Sequence, residues 1–246
     1  MKLELDVFHD FLEFLRHDGG RKVIFRGERS MEVPTPESDD TLNLVSRAVQ
    51  GDAESLSQLM ERYRARLNRM VSLRIDRRLK GRVDASDVVQ EALMDAARRL
   101  EDYAADPPMG FYVWLRWITG ERLQNAHRHH LGTQKRDAGQ EVSLYRRSMP
   151  EACSVSIAQQ LLGQLTSPTQ AVARAELQLL VQDVLNSMDE VDREILILRN
   201  FEQLSTSETA EALGIKRSTA SKRYITALKR LKQAMSAIPG FVDHIE

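Results

Sequence analysis

The chain of 246 residues has a single cysteine, Cys153, and no long apolar run. One cysteine can form neither an intramolecular disulfide nor a cysteine-based zinc site, and it fits a reducing compartment. A membrane-spanning helix needs about 18 or more consecutive apolar residues, and no stretch supplies them. The N-terminus, MKLELDVFHDFLEFL, carries acidic residues within its apolar part and has no cleavage site of a signal peptide. We therefore expect a cytosolic protein that does not insert into a membrane.

The sequence also lacks the motifs of enzymes. We find no glycine-rich phosphate loop, no nucleophile motif and no metal-ligand spacing, and we expect no catalytic residue, no cofactor and no metal site. His127, His129 and His130 stand close together. Because they have no acidic or cysteine partner nearby, the cluster favours a solvated basic helix end over a zinc site.

Glycine and proline are sparse, with 12 and 7 residues, which is typical of a soluble and mostly helical chain. The net charge is -1, from 35 basic and 36 acidic residues, so any nucleic-acid binding must rely on local patches. One basic run consists of Arg62, Arg64, Arg66, Arg69, Arg74, Arg77, Arg78, Lys80 and Arg82. For this run we favour a solvated helix face over a binding surface.

The stretch from Ser205 to Met235 predicts two helices that meet at a tight turn. Ser205 and Glu208 have the spacing of a capping box, and Gly214 can supply the positive φ that reverses the chain. No acidic residue occurs between Ala212 and Val242. The pattern favours a helix-turn-helix, whose second helix enters the DNA major groove, over the alternative of a solvated basic face. The candidate recognition residues are Lys216, Arg217, Ser218, Thr219, Ser221, Lys222 and Arg223.

Helical periodicity also runs through the N-terminal half, from Thr41 onward. Caps at Asp52 and Asp84 predict the starts of two helices, and Gly81 is the expected end of the first. The helix after Asp84 turns its apolar residues inward and leaves four polar residues exposed or half exposed. These four are Asp87, Gln90, Glu91 and Asp95.

A further helix follows Pro107 and Pro108. Its residues Phe111, Trp114, Leu115 and Ile118 recur at helical spacing and are predicted to lie in the core. For Trp117, core and nucleic-acid roles remain equally open.

The predicted fold is all-α, with two small helical domains joined by a flexible linker. Residues 1–40 form an N-terminal extension of unknown function, and 41–131 form the first domain. Residues 132–166 form the linker, 167–240 the second domain and 241–246 a tail. Ser167 and Pro168 predict the start of the second domain's first helix.

The first domain resembles region two of the sigma-70 family of bacterial transcription initiation factors, and the second resembles region four. The short gap between them is similar to the extracytoplasmic-function (ECF) group. The matching residues of the first domain are Asp87, Gln90, Glu91, Ala96, Phe111, Trp114, Leu115, Ile118 and Arg128. Those of the second are Asp192, Arg193, Leu196, Leu198, Leu204, Ser205, Glu208, Ala210, Leu213, Gly214, Thr219, Arg223 and Leu228. The chain departs from the family pattern at Glu121 and Asn125, so the family's promoter preferences do not carry over.

The resemblance implies a factor that binds core RNA polymerase, through its β′ and β subunits, and promoter DNA. The implied polymerase-binding residues, on the β′ coiled coil, are Asp87, Gln90 and Glu91. Those implied for the minus-ten element are Arg116, Trp117, Arg122, Asn125 and Arg128. The helix-turn-helix residues would recognise the minus-thirty-five element. Many family members are restrained by an anti-sigma factor, although no residue identifies one here. The alternative is a helix-turn-helix regulator that does not associate with core polymerase.

Overall fold

The computed structural model describes residues 39–79, 81–131, 149–163 and 171–237. Within these ranges every regular element is helical, in agreement with the predicted all-α fold, and none of the helices has the length and apolar character needed to cross a membrane. The α-helices, in chain order, are α1 (Asp39–Val49), α2 (Ala53–Arg74), α3 (Ala85–Arg98), α4 (Leu100–Ala105), α5 (Phe111–Leu131), α6 (Ser154–Gly163), α7 (Ala171–Ser187), α8 (Glu190–Leu196), α9 (Thr206–Leu213) and α10 (Arg217–Ser236). The helix start that the sequence predicts at Ser167 lies outside the described residues.

Helices α1 to α5 form what we call the N-terminal bundle. The cap at Asp52 is confirmed, since its Oδ1 accepts hydrogen bonds from the backbone N–H groups of Glu54 and Ser55 at 3.1 and 3.2 Å. The predicted end of α2 at Gly81 is wrong, because the helix ends at Arg74. The Asp76 carboxylate accepts from the backbone N–H of Arg78 at 2.8 Å, a local bond that competes with helix continuation. A 3-10 turn and Gly81, with φ of 91°, then lead into α3.

Aromatic side chains fill the centre of the N-terminal bundle. Phe111 and Trp114 are buried as predicted, together with Leu115 and Ile118. The ring of Tyr103 stacks on Trp114 with 4.5 Å between centroids. Burying a side chain of this size stabilises the fold by about 1.5 to 3 kcal/mol. This core fixes α5 against α2 and α3 and so determines which of its residues can face outward.

Helices α7 to α10 form the C-terminal bundle, which contains the predicted helix-turn-helix. The capping box is confirmed: Ser205 Oγ accepts from the Glu208 backbone N–H at 3.1 Å, and Glu208 Oε2 accepts from the Ser205 backbone N–H at 2.7 Å. Gly214 has φ of 64°, the left-handed conformation that the turn requires. Ala220, Ala227, Leu228, Leu231 and Met235 are buried and anchor α10 in the bundle.

Part of the expected linker, 132–166, is helical. Helix α6 buries Ile157, Ala158, Leu161 and Leu162 and packs along α7. The backbone N–H of Cys153, just before α6, donates to the Leu73 carbonyl of α2 at 2.9 Å. This segment therefore contacts both bundles.

The capping box gives a stability prediction. Substituting Ser205→Ala removes the acceptor of the Glu208 N–H, and we expect the free energy of unfolding to fall by about 1 kcal/mol in urea denaturation. The control is Ser207→Ala, at an exposed position two residues further along the chain. We expect this substitution to change the free energy of unfolding by no more than about 0.5 kcal/mol. Equal effects of the two substitutions would contradict the role of the cap.

Candidate protein and nucleic-acid interfaces

One face of α3 projects away from the core and carries the residues predicted to bind a protein partner. Asp87, Gln90 and Glu91 are all exposed, because Val88, Val89, Ala92 and Leu93 occupy the buried side of the same helix. Met94 continues this face one turn further and is 49% exposed. Met94 follows Asp87 by seven residues, which is two helical turns, so the two side chains lie on the same face of a helix. This spacing is the signal by which Met94 could have been found in the sequence. We call these four residues the α3 face.

Asp95 was expected to be exposed or half exposed, and that expectation is wrong. Its side chain is buried where α3 packs on α5, and its carboxylate pairs with Arg98 and with Arg122. A buried carboxylate needs such partners, because desolvation penalises its charged form. Asp95 thereby fixes the guanidinium of Arg122, which remains one third exposed.

The structure separates the residues predicted to face the minus-ten element into two groups. Asn125 and Arg128 are exposed near the end of α5 and are hydrogen-bonded to each other, with Arg122 one turn before them. Trp117 is half-buried and packs against the core, so it keeps an accessible part. Arg116 differs from the other four, because it is buried and faces the C-terminal bundle.

A groove of about 340 Å³ lies between the start of α3 and the end of α5. Asp87 and Glu91 line one side, and Arg122, Asn125 and His129 line the other. Residues predicted to bind a protein and residues predicted to bind nucleic acid therefore share one surface feature.

The outer face of α10 is exposed along its whole recognition segment. Lys216 caps the helix without a side-chain hydrogen bond, and Thr219 alone among the candidate residues is half-buried. The exposed candidates are Lys216, Arg217, Ser218, Ser221, Lys222 and Arg223. Ile225 lies on the same face and is 51% exposed, although it is apolar. Sequence reasoning passed over Ile225, because an isoleucine in a helix is normally a core residue.

The two bundles meet at a buried cluster of charged side chains. Glu202 has no exposed surface, and its Oε1 accepts from Arg74 Nε at 2.8 Å while its Oε2 accepts from Arg116 Nε at 2.7 Å. Arg74 also donates through Nη2 to Glu194 Oε1 at 2.6 Å and through Nη1 to the Pro150 carbonyl at 2.8 Å. The cluster thus joins α2 and α5 to the C-terminal bundle and to the segment before α6.

Two opposing effects act on the pKa of Glu202. Burial raises it, but the charges and hydrogen bonds of Arg116 and Arg74 outweigh burial and lower the pKa from 4.5 to about 2. A lowered pKa means that the contribution of this carboxylate to stability is fully present above pH 4.5 and is lost only as the pH falls through about 2. The Glu202 carboxylate is therefore ionised at neutral pH.

Further polar contacts surround this cluster. Arg66 Nη2 donates to Glu208 Oε1 at 3.1 Å, and its guanidinium lies 3.5 Å from the centre of the Tyr112 ring. The Gly110 backbone N–H donates to Glu211 Oε1 at 2.8 Å. Arg69 Nη1 donates to Gln203 Oε1 at 2.5 Å. We call the whole set the interdomain interface; its members are Arg66, Arg69, Arg74, Gly110 and Arg116 on one side and Glu194, Glu202, Gln203, Glu208 and Glu211 on the other.

The expectation of a solvated arginine run is wrong for Arg66 and Arg74. Their side chains are only 12% and 1% exposed, because they point into the interdomain interface. Arg77, Arg78 and Arg82 lie beyond the end of α2 and are exposed, as expected. Sequence reasoning missed the contacts of these two arginines because the acidic partners are distant in the chain: Arg74 and Glu202 are 128 positions apart.

Two family models match the chain in the order of the two bundles. Sigma-70 region 2 matches residues 59–131, and Sigma-70, region 4 matches residues 184–233. Together they cover half of the chain, including the α3 face, all of α5 and the helix-turn-helix.

Curated relatives agree with the family models. The chain is 27% identical to the ECF RNA polymerase sigma factor SigD of Mycobacterium tuberculosis, over 79% of this chain and 83% of that protein. It is 26% identical to the RNA polymerase sigma-H factor of Pseudomonas aeruginosa, over 83% and 97%. It is also 26% identical to the ECF RNA polymerase sigma-E factor of Escherichia coli K12, over 75% and 88%.

A solved structure of CnrH in complex with the cytosolic domain of CnrY is similar at 22% identity, with a TM-score of 0.47, over 81% of this chain and 99% of that chain. The family matches and the relatives together identify the family of the protein. The chain belongs to the sigma-70 family of transcription initiation factors, in its ECF group.

The position of Asp95 gives a second stability prediction. Substituting Asp95→Asn removes the charge that pairs with Arg122 and Arg98, and we expect the free energy of unfolding to fall by about 1 to 3 kcal/mol. The matched control is Glu91→Gln on the exposed side of the same helix, for which we expect a change within about 0.5 kcal/mol. Thermal or chemical denaturation of both variants measures the difference. An Asp95→Asn variant as stable as the control would show that this pair contributes nothing.

Proposed function

We propose that this sigma factor binds core RNA polymerase through the α3 face and directs it to promoters through α5 and α10. The observation that carries the proposal is that one chain exposes two separate faces, the α3 face and the outer face of α10. The α3 face carries two carboxylates and one amide, and the outer face of α10 is basic. A protein partner and a nucleic acid can therefore be bound by separate surfaces.

The α3 face suits a basic helical partner. Asp87 and Glu91 supply negative charge, Gln90 supplies an amide between them, and Met94 adds an exposed apolar contact. Electrostatic complementarity of this kind speeds association and selects the partner, while the apolar group contributes buried area. We assign this face to the coiled coil of the polymerase β′ subunit, with the β subunit as a further contact of the factor.

We assign the exposed end of α5 to the minus-ten element. Arg122 and Arg128 offer positive charge to phosphates, and Asn125 can hydrogen-bond to a base edge. The accessible part of Trp117 can stack on a base that leaves the duplex, a contact worth about 1 to 3 kcal/mol per base. Arg116 takes no part in this surface while Glu202 holds it in the interdomain interface.

We assign the N-terminal half of α10 to the minus-thirty-five element. Its exposed residues Ser218, Ser221 and Lys222 recur at a spacing that places them along one side of the helix, as required of a helix lying in the major groove. This contact does not need high affinity by itself, because binding of the α3 face to polymerase supplies effective concentration.

We also infer the partners of this factor and where it acts. Core RNA polymerase and promoter DNA are its partners, in the cytoplasm, and an anti-sigma factor is a third partner for which the described residues single out no surface. A regulator that works without polymerase is the less favoured alternative, because the family matches include region two as well as the helix-turn-helix.

Polymerase binding is tested by reversing one charge on the α3 face. We expect the purified chain to bind core polymerase and to start transcription at specific promoters, and Glu91→Lys to weaken core binding by about tenfold, equivalent to about 1.4 kcal/mol. The physical reason is repulsion from a basic partner. Fluorescence anisotropy with labelled protein measures the affinity.

The control for this experiment is Glu101→Lys, the same charge change at an exposed position of α4 outside the α3 face. It should bind core polymerase as the unaltered chain does. A chain that neither binds core polymerase nor directs initiation at any promoter would overturn the proposed function. Equal losses for both variants would refute the assignment of the α3 face.

Promoter recognition is tested on α10. We expect Lys222→Ala and Arg223→Ala each to weaken binding to the preferred minus-thirty-five sequence by about 1 to 3 kcal/mol, with relaxed preference at individual bases. Lys229→Ala, two turns further along the helix, should weaken binding to all sequences alike, as loss of a phosphate contact does. Selection of bound sequences from a random library measures both effects. An unchanged sequence preference in both of the first two variants would contradict the assignment.

A further inference from the structure

Three exposed arginines lie in the turn between α2 and α3, outside the surfaces assigned above. They are Arg77, Arg78 and Arg82, and we call them the basic turn. Their charges fall within a stretch that spans at most about 19 Å, at 3.8 Å per residue. Like charges at such close range repel one another, and an anion with several charges relieves this repulsion.

The backbone of the basic turn is anchored in the N-terminal bundle. Ile75 and Leu79 are buried, and the N–H groups of Arg82 and Val83 both donate to the Leu79 carbonyl, at 2.8 and 3.0 Å. The arginine side chains therefore project from an ordered base. Because the backbone is already ordered, little of its conformational entropy is lost when a ligand binds.

The basic turn is also fixed to the end of α5. The Asp76 backbone N–H, at the start of the turn, donates to His127 Nε2 at 3.3 Å. Burial lowers the pKa of His127 below its ordinary value of 6.5, so the ring is neutral at neutral pH and can accept this bond. At the other end of the turn, Arg82 lines the groove together with His129 and His130. The turn therefore keeps a fixed position beside the part of α5 that we assign to promoter DNA.

Two of the three arginines keep their charge available for a partner. Arg78 is paired with the Asp76 carboxylate, at 2.8 Å from Nη2 to Oδ2 and 3.1 Å from Nε to Oδ1. Within the described part of the chain, Arg77 and Arg82 have no carboxylate partner. The first acidic residue after the turn, Asp84, is engaged as the cap of α3. The available charge of the turn is therefore mainly that of Arg77 and Arg82.

The chemistry of this surface fits the phosphate backbone of DNA. Arginine binds phosphate through parallel N–H donors, and such contacts fix the orientation of a protein on a duplex without reading its sequence. The exposed Arg128 continues the positive charge onto α5. Duplex DNA carries one negative charge per about 1.7 Å of its axis, so a duplex held at the end of α5 brings several phosphates close to the adjoining turn.

We propose that the basic turn binds the phosphate backbone of promoter DNA next to the minus-ten element and so extends the surface of α5. The inference rests on the proposed function, because it takes the DNA from the assignment of α5. The exposed part of the arginine run is then a binding surface, although the sequence favoured solvation alone.

The salt dependence of promoter binding tests this proposal. The complex of the chain with core polymerase is titrated onto duplex DNA of a promoter at which it starts transcription, between about 50 and 200 mM salt. We expect Arg77→Ala and Arg82→Ala each to reduce the slope of log K against log salt by about 0.9 and to weaken binding about eightfold at 0.1 M salt. The base preference stays unchanged, because a phosphate contact carries no sequence information.

Two controls separate charge at the turn from charge elsewhere. Arg77→Lys and Arg82→Lys keep the positive charge and should retain the slope of the unaltered chain. Arg47→Ala removes the same charge from an exposed position of α1, which packs on α2 and α4, and should leave the slope unchanged. Urea denaturation of each variant checks that its stability is that of the unaltered chain.

Neutral phosphates locate the contact. A methylphosphonate placed at single positions beside the minus-ten element removes one backbone charge at a time. At the contacted phosphate it should weaken binding of the unaltered chain by about the same factor as the alanine substitution. In the variant that lacks the contacting arginine, the same methylphosphonate should have no further effect.

The outcomes distinguish this inference from the proposed function. Unchanged slopes in both alanine variants, in a complex that still binds the promoter, would overturn the phosphate contact and leave the function intact. Weaker binding of both alanine variants to core polymerase without DNA would also overturn it, because the turn would then contact the protein. Failure of the unaltered chain to direct core polymerase to any promoter would overturn the function instead. Reduced slopes with unchanged base preference would support the phosphate contact.

Discussion

The arrangement of this protein depends on one carboxylate held between two arginines. Glu202 lies fully buried between Arg74 of α2 and Arg116 of α5 and hydrogen-bonds to both. Around it, Glu194 and the Pro150 carbonyl complete the bonding of Arg74. Because the charges balance within the cluster, the two bundles can meet through ions without leaving a net charge buried.

This contact determines which surfaces the free chain presents. The bundles face each other through α2, the start of α5 and α9, so the α3 face and the outer side of α10 point into solvent. Glu208 takes part in both a local cap and the interdomain interface. Its Oε2 accepts from the Ser205 backbone N–H and completes the cap of α9, and its Oε1 accepts from Arg66 Nη2 across the interface. The start of the helix-turn-helix and the docking of the bundles are therefore coupled through a single side chain.

Local features could be predicted from the sequence, and long-range ones could not. The caps at Asp52, Asp84 and Ser205 and the left-handed Gly214 follow from short-range chemistry, and all four are present. The sequence pattern predicts the end of α2 at Gly81, but the helix ends at Arg74, because the hydrogen bond from the Arg78 N–H to the Asp76 carboxylate outweighs a weak glycine signal. The sequence pattern predicts solvated positions for Arg66 and Arg74, because their acidic partners Glu208 and Glu202 lie more than a hundred positions away in the chain.

The central claim is that the two bundles of the free chain are held together by this interface. Hydrogen exchange at the Gly110 amide tests it most directly, because this N–H precedes α5 and donates to Glu211 of the other bundle. We expect slow exchange at Gly110 in the free chain, because its N–H is held by Glu211 across the interface. Rapid exchange at Gly110 in the free chain, at the rate of an unprotected amide, would contradict it.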